Sequence, residues 1–303
     1  MKAVALLLAV LAAISLPAAA AETWIVERVA KPKAPPEILP QPLAAAPGGV
    51  PDMLLAVAAT GDIAAAWYGE GTGRHRHGAL GDTTEGGALF TQTRDGRRLS
   101  YRLGVGSVFE DLHPRIADLD GDGKSEIVTI ESSLATGASI AIFSASGSAL
   151  ERIAATPHIG QPNRWLNIAA IAPFAGGGTL EIAFVATPHL EGKLAFLRFE
   201  RGRLTLLAAE PGYSNHVFGS RELRLAAVLD ADGDGRPELA LPTLDRKALR
   251  IVRLKGAAIE IVALAALPAA IDKAIAVAGS GKDTVITVGL ADGSVHTVKP
   301  PAR

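Results

Sequence analysis

Residues Ile116-Ala117-Asp118-Leu119-Asp120-Gly121-Asp122-Gly123-Lys124-Ser125-Glu126-Ile127-Val128 recur without a gap as Val228-Leu229-Asp230-Ala231-Asp232-Gly233-Asp234-Gly235-Arg236-Pro237-Glu238-Leu239-Ala240. The copies stand 112 residues apart (118 to 230). Midway lies Ile171-Ala172-Pro173-Phe174-Ala175-Gly176-Gly177-Gly178-Thr179-Leu180-Glu181-Ile182-Ala183, in the same frame, with Pro173, Ala175 and Gly177 where the aspartates stood. The spacings, 55 from 118 to 173 and 57 from 173 to 230, give a period of about 56 residues.

Such a period over residues 52–303 makes about 4.5 units, each with room for four strands. In the second unit the strands are expected at His113 to Leu119, Ser125 to Glu131, Gly137 to Ser144 and Ala149 to Ala155. The last unit offers three, Ala274 to Gly279, Thr284 to Leu290 and Ser294 to Lys299. Four-stranded repeats of this length describe the blades of a β-propeller, so the fold expected is all-β, a propeller of five blades. The missing strand is assigned to Thr23 to Val29, rich in Ile, Val and Trp, which would pair as the outer strand of the last blade. A free N-terminal arm is the competing expectation.

Around this repeat the chain divides simply. Residues 1–21, a basic start, an apolar run and a small-residue site, read as a secretory signal peptide. Residues 22–51 hold the strand-like run and a proline-rich tether, and 52–303 the repeats. A periplasmic or secreted protein with no later membrane span is expected. A formal charge of −1 offers no field for nucleic acid. The absence of Cys leaves only oxygen and imidazole as metal ligands.

The two intact loops resemble the FG-GAP/VCBS calcium-loop repeats of integrin α-chain propellers and of exported bacterial proteins, whose pattern is Asp-x-Asp-x-Asp-Gly-x-x-(Asp/Glu) between two strands. Asp118, Asp120, Asp122, Gly123 and Glu126 match it, as do Asp230, Asp232, Asp234, Gly235 and Glu238. Phe218-Gly219 and Ala240-Leu241-Pro242 stand where that family has Phe-Gly and Gly-Ala-Pro. Segments Asn163 to Asn167, Ser214 to His216 and Arg221 to Leu223 are similar to those of exported VCBS-repeat proteins. The chemistry of the loops reads independently: alternating aspartates on a tight turn aim three carboxylates at one centre, as a calcium ion with six to eight oxygens requires. The backbone carbonyl of Lys124 or Arg236 and the carboxylate of Glu126 or Glu238 would complete each shell. Two structural calcium ions are expected, against a solvated acidic turn. An EF-hand is disfavoured by the β-rich runs that follow.

Catalytic signatures are sparse. Gly279 to Thr284 lacks the first glycine of a phosphate loop and reads as a hairpin turn. His75-Arg76-His77, in a glycine-rich insertion between Tyr68 and Gly86, reads as a solvated loop without a third ligand, and Glu110-Asp111 as neighbours aimed at opposite faces. Arg164 and Arg221 each stand nine residues before an equivalent loop position, and His158, Asn163, His216 and Ser220 precede them in the same loops. These six are candidates for a ligand face at one channel mouth, or else staples between blades. The function expected is a module that binds a protein or a carbohydrate, with no catalytic residue assigned. A glycosidase or polysaccharide lyase is the alternative, to be recognised by carboxylates or a Lys, Arg and Tyr group converging on that mouth.

Overall fold

The computed structural model describes residues 21–30, 48–51 and 53–302; positions 1–20 of the expected leader and the proline-rich stretch 31–47 lie outside the described residues. Regular structure there consists of strands and one 3-10 turn, Gly281–Asp283. Two short strands, β1 (Glu22–Thr23) and β2 (Ile25–Arg28), open the described chain. The first sheet is β3 (Ala56–Val57), β4 (Ile63–Gly69), β5 (Ala88–Thr93) and β6 (Arg98–Arg102). The second holds β7 (Ser107–Phe109), β8 (Arg115–Ala117), β9 (Glu126–Ser133), β10 (Gly137–Ser146) and β11 (Ala149–Ala155). The third runs β12 (Leu166–Ala172), β13 (Glu181–Ala186), β14 (Lys193–Glu200) and β15 (Arg203–Glu210). The fourth is β16 (Ala227–Leu229), β17 (Glu238–Pro242), β18 (Ala248–Lys255) and β19 (Ala258–Ala266), and the fifth β20 (Ala276–Ala278), β21 (Val285–Gly289) and β22 (Val295–Lys299).

Within β3–β6, β8–β11, β12–β15, β16–β19 and β20–β22, consecutive strands are antiparallel neighbours, the meander that short turns between strands permit. The second strands of the second and fourth units are covered on both faces and are rich in aliphatic residues. All five residues of β17 and seven of the eight in β9 are buried. Outer strands such as β11 and β15 alternate with exposed polar residues instead. Second-unit strands fall within a few residues of their expected positions. That unit also carries an extra strand, β7, which pairs with β9 beyond β8.

The N-terminal segment divides between two sheets. β2 pairs antiparallel with β22, Val26 opposite Val298, as the outer strand of the fifth sheet, while β1 adds in parallel to β19. Between them Trp24, 4% exposed, sinks into the core that the fourth and fifth sheets share with Leu225, Ile275 and Ile286.

Three further apolar clusters join the first sheet to the second, the second to the third, and the third to the fourth. The loops from first to second strand touch in series: Gly61 against Ser125, Gly121 against Gly178, Gly176 against Arg236, Gly233 against Gly281. The Gly281 N–H donates to the Asp230 carbonyl at 2.8 Å, so the turn at 279–284 is the fifth sheet's counterpart of the acidic loops. A cavity of about 370 Å³ lies among β8, β12 and residues 223–226 of the fourth unit. No helix among the described residues is long and apolar enough to cross a membrane.

Candidate functional site

The acidic loops occupy one end of this arrangement. In the first, a single ligand atom from each of Asp118, Asp120 and Asp122 lies within 4.8 Å of the others, and Asp230, Asp232 and Asp234 repeat the cluster. The opening aspartate also holds its own turn. Asp118 accepts N–H bonds from Gly121 at 2.8 Å and Gly123 at 2.9 Å, and Asp230 from Gly233 at 2.7 Å and Gly235 at 3.1 Å. Gly123 at φ 88° and Gly235 at φ 81° take the left-handed conformation that side-chained residues avoid.

The ninth-position glutamates brace the backbone. Glu126 accepts from Leu119 N–H at 2.9 Å and Glu238 from Ala231 N–H at 2.7 Å; Glu181 accepts from Ala175 N–H at 2.8 Å in the copy without aspartates. Neither Glu126 nor Glu238 belongs to the converging trios. Cationic partners differ among the copies. Arg253 bonds both Asp232 and Glu238, and Arg198 bonds Glu181, but Ser144 stands opposite Glu126. Burial, then the charges of Asp120, Asp122 and Asp118, push the Glu126 carboxyl up to about 7. Lys124 and Arg236, expected to lend backbone carbonyls, sit in these turns with their N–H groups donating to Asp122 and Asp234 at 2.8 Å each.

A second site comes from the insertion between β4 and β5, which the sequence reading leaves in solvent. It is folded in instead. Thr72 and Glu85 bridge, Gly86 bridges Phe109, and Ala79 and Leu80 are fully buried in the core between the second and third sheets. Gly81 lies so close to the Gly219 carbonyl that a Cβ there would collide with it, and Asp82 pairs with Arg221 at 2.9 Å. The histidines thus meet a carboxylate from the second sheet: His75 Nε2 is 3.2 Å and His77 Nδ1 2.7 Å from the two oxygens of Glu110, which also accepts the Ser132 hydroxyl at 2.6 Å. Burial opposes ionisation of Glu110, but these hydrogen bonds outweigh it and hold the carboxyl below its ordinary value. Just beyond the end of β7, Asp111 turns instead to Arg115 and the Tyr68 hydroxyl. Glu85 is pushed up to about 9 by burial and by Glu110, Asp82 and Asp111, so it is protonated at neutral pH.

Beside this cluster opens a cleft of about 160 Å³ lined by His77, Asn163, Arg164, Trp165, His189 and Phe218, with Thr187 and Leu190 completing it. Phe218 is 55% exposed and stands between the rings of His77 and His189, at 5.8 and 5.3 Å. Asn163 at φ 53° and the β-branched Thr187 at φ 48° hold left-handed backbone, a strain that clusters at binding sites. A histidine relay sets the chemistry of one wall. His216 Nε2 lies 2.9 Å from the Ser220 carbonyl, which only accepts, so Nε2 carries the proton. Burial pushes His216 down to about 4, and it is neutral near pH 7. Its Nδ1 therefore accepts from His189 Nε2–H at 2.9 Å, which leaves His189 Nδ1 as an unprotonated base. His189 is likewise pushed to about 4, by burial and then by His216 and His77.

Of the six residues expected at a ligand face, Asn163 and Arg164 line the cleft, and His216 with Ser220 supports it from beneath. Arg221 holds the insertion, and half-buried His158 lies outside the cleft lining. His189 escapes the sequence reading; His77 carries a local signal in the His-x-His pair, and Phe218 only as part of a Phe-Gly element.

No protein-family model matches the sequence, and no curated protein matches it. Among solved structures the chain is similar to the exotype rhamnogalacturonan lyase YesX, with 17% identity and a TM-score of 0.51 over 86% of this chain and 50% of that one. The rhamnogalacturonan lyase YesW matches at 14% identity and a TM-score of 0.51, over 79% of this chain and 48% of its own. The chain spans about half the length of these enzymes, and the likeness is one of fold.

Proposed function

We propose that this chain is an exported, calcium-stabilised β-propeller of five blades, with loops of the FG-GAP/VCBS kind, that binds an acidic glycan in the cleft beside the insertion. The architectural part is supported by five meanders in chain order, by the serial contact of their loops, and by the cavity edged by the first strands of the second and third sheets. Calcium at Asp118, Asp120 and Asp122 and at Asp230, Asp232 and Asp234 would neutralise the converging carboxylates.

One observation carries the binding role: exposed Phe218 shares a cleft the size of a single sugar ring with the guanidinium of Arg164 and the amide of Asn163. An aromatic face stacks on the C–H surface of a sugar, and a guanidinium matches a uronate carboxylate. Capture on an array of neutral and acidic glycans, with and without chelator, tests this. Phe218→Ala and Arg164→Ala are expected to abolish capture with little change in melting temperature, whereas Arg221→Ala lowers stability through the Asp82 contact. Equal capture by all three variants would refute the assignment.

A second reading, a polysaccharide lyase, is favoured by the bare Nδ1 of His189, a base beside Arg164 in that cleft. The fold shared with two enzymes named as rhamnogalacturonan lyases agrees with it. Abstraction of the proton α to a carboxylate held by Arg164 would eliminate the glycosidic oxygen and leave an unsaturated uronate. Its ultraviolet absorbance, lost in His189→Ala, separates lyase from binder.

A further inference from the structure

We propose that His75, His77 and Glu110 form a metal centre of the zinc class that pins the insertion to the second sheet. The centre is separate from the calcium loops and does not depend on what the cleft binds. One ligand atom from each residue lies within 4.8 Å of the other two. Four ligands about 2.0–2.1 Å from a tetrahedral ion sit about 3.3 Å from one another. The His75 nitrogen stands 3.2 Å from one Glu110 oxygen and the His77 nitrogen 2.7 Å from the other, so small side-chain rotations make the set. Two imidazoles and one carboxylate suit zinc and its first-row neighbours, whereas calcium takes a shell of oxygens.

A second observation points to a ligand there. Antiparallel bridging of Gly86 with Phe109 sets Glu85 opposite Glu110, and Glu85, 1% exposed, has an oxygen, Oε2, with no hydrogen-bond partner among the described residues. Buried polar atoms are almost always paired, so this unpaired oxygen opposite Glu110 marks the neighbourhood of the trio as one short of a polar partner, although Glu85 itself is not among the converging ligand atoms. Ser132, bonding Glu110 from β9, orients the carboxylate as outer-shell groups orient metal ligands. His75 and Glu110 are 4% and 1% exposed, while half-buried His77 also lines the cleft, so an exogenous ligand reaches the metal from that side.

Cobalt(II) tests this without reference to activity. Protein stripped with chelator, desalted and returned to excess calcium is titrated with Co²⁺ and followed by visible absorption. One equivalent is expected to bind with the intense bands of a low-coordinate site and to be displaced by Zn²⁺. Glu110→Gln and His77→Ala should each weaken uptake more than 100-fold, beyond the 10–100-fold that outer-shell changes cost. Asp120→Ala, in a calcium loop, should leave uptake unchanged. Should Glu110→Gln fail to fold, His77→Ala carries the comparison, with near-ultraviolet circular dichroism as the check on folding. Absence of cobalt bands in calcium-loaded protein, or equal affinity in His77→Ala, would overturn the proposal and leave the trio a hydrogen-bonded staple.

Discussion

Replacing Asp120 by Ala is expected to remove most of the calcium dependence of stability, and replacing Asp232 by Ala a smaller part. Three carboxylates within 4.8 Å repel by roughly 0.9 kcal/mol per pair in a water-like dielectric, or on the order of 2.6 kcal/mol for the trio. An ion at about 100 times its dissociation constant adds about 2.7 kcal/mol, so occupancy of the first loop offsets a penalty of similar size. In the second loop Arg253 already bonds Asp232 and Glu238 and supplies part of that neutralisation. At roughly 2–4 °C per kcal/mol, chelation should lower the melting temperature by about 5–10 °C through the first loop and less through the second. Scanning calorimetry with calcium and with chelator measures this, and native mass spectrometry counts one ion lost per variant. Ser144→Arg would place opposite Glu126 the cation that Arg198 gives Glu181, and should reduce the dependence. In chelated protein the raised Glu126 keeps more protons folded than unfolded. Its contribution is therefore full below 4.5 and lost as pH rises toward 7. Identical melting temperatures at all calcium levels, or a larger loss in Asp232→Ala than in Asp120→Ala, would refute the reasoning.

His216 holds fewer protons folded than unfolded, so its contribution is present above pH 6.5 and lost as pH falls toward 4. Denaturant titrations across that window should show a shallower loss for His216→Asn, and parallel curves would contradict the relay. Gly81→Ala, at φ 74° and facing the Gly219 carbonyl, is expected to cost about 1–3 kcal/mol and to open the insertion to protease. An unchanged digestion pattern would mean that this contact does not hold it. Deleting residues 22–30 should lower stability and promote self-association by baring the edges of β19 and β22. Trp24→Ala alone should cost about 3–5 kcal/mol; a deletion variant that stays monomeric and melts like the parent would count against both.

The strands were legible because the repeat announces its own frame. Once Glu126 and Glu238 are aligned, the aliphatic starts Ile127-Val128 and Leu239-Ala240-Leu241 place β9 and β17. The N-terminal strand was legible by subtraction, since the last unit lacked one. The insertion was not. Its glycines and histidines have no period, and its burial comes from Ala79 and Leu80 entering a core built by strands of the second and third sheets. The contact of Asp82 with Arg221 spans 139 residues, and no local pattern encodes it. Repeat alignment likewise put Arg164 and Arg221 in one class, yet the insertion uses them differently: Asp82 pairs with Arg221, while His77 shares a cleft with Arg164. The cleft is asymmetric because a single unit carries that insertion.

The pairing of β2 with β22 also sets a clock. Glu27 and Lys299, joined at 2.7 Å, stand 272 residues apart, so β2 must wait for a partner synthesised that many residues after it. The meanders of sheets one to four can form from neighbouring residues as they emerge, whereas the seam at the fifth pays the loop-closure entropy of a 272-residue separation. Until β2 meets β22, Trp24 and the edge of β22 remain uncovered, a stage at which the newly made protein is exposed to aggregation and to protease.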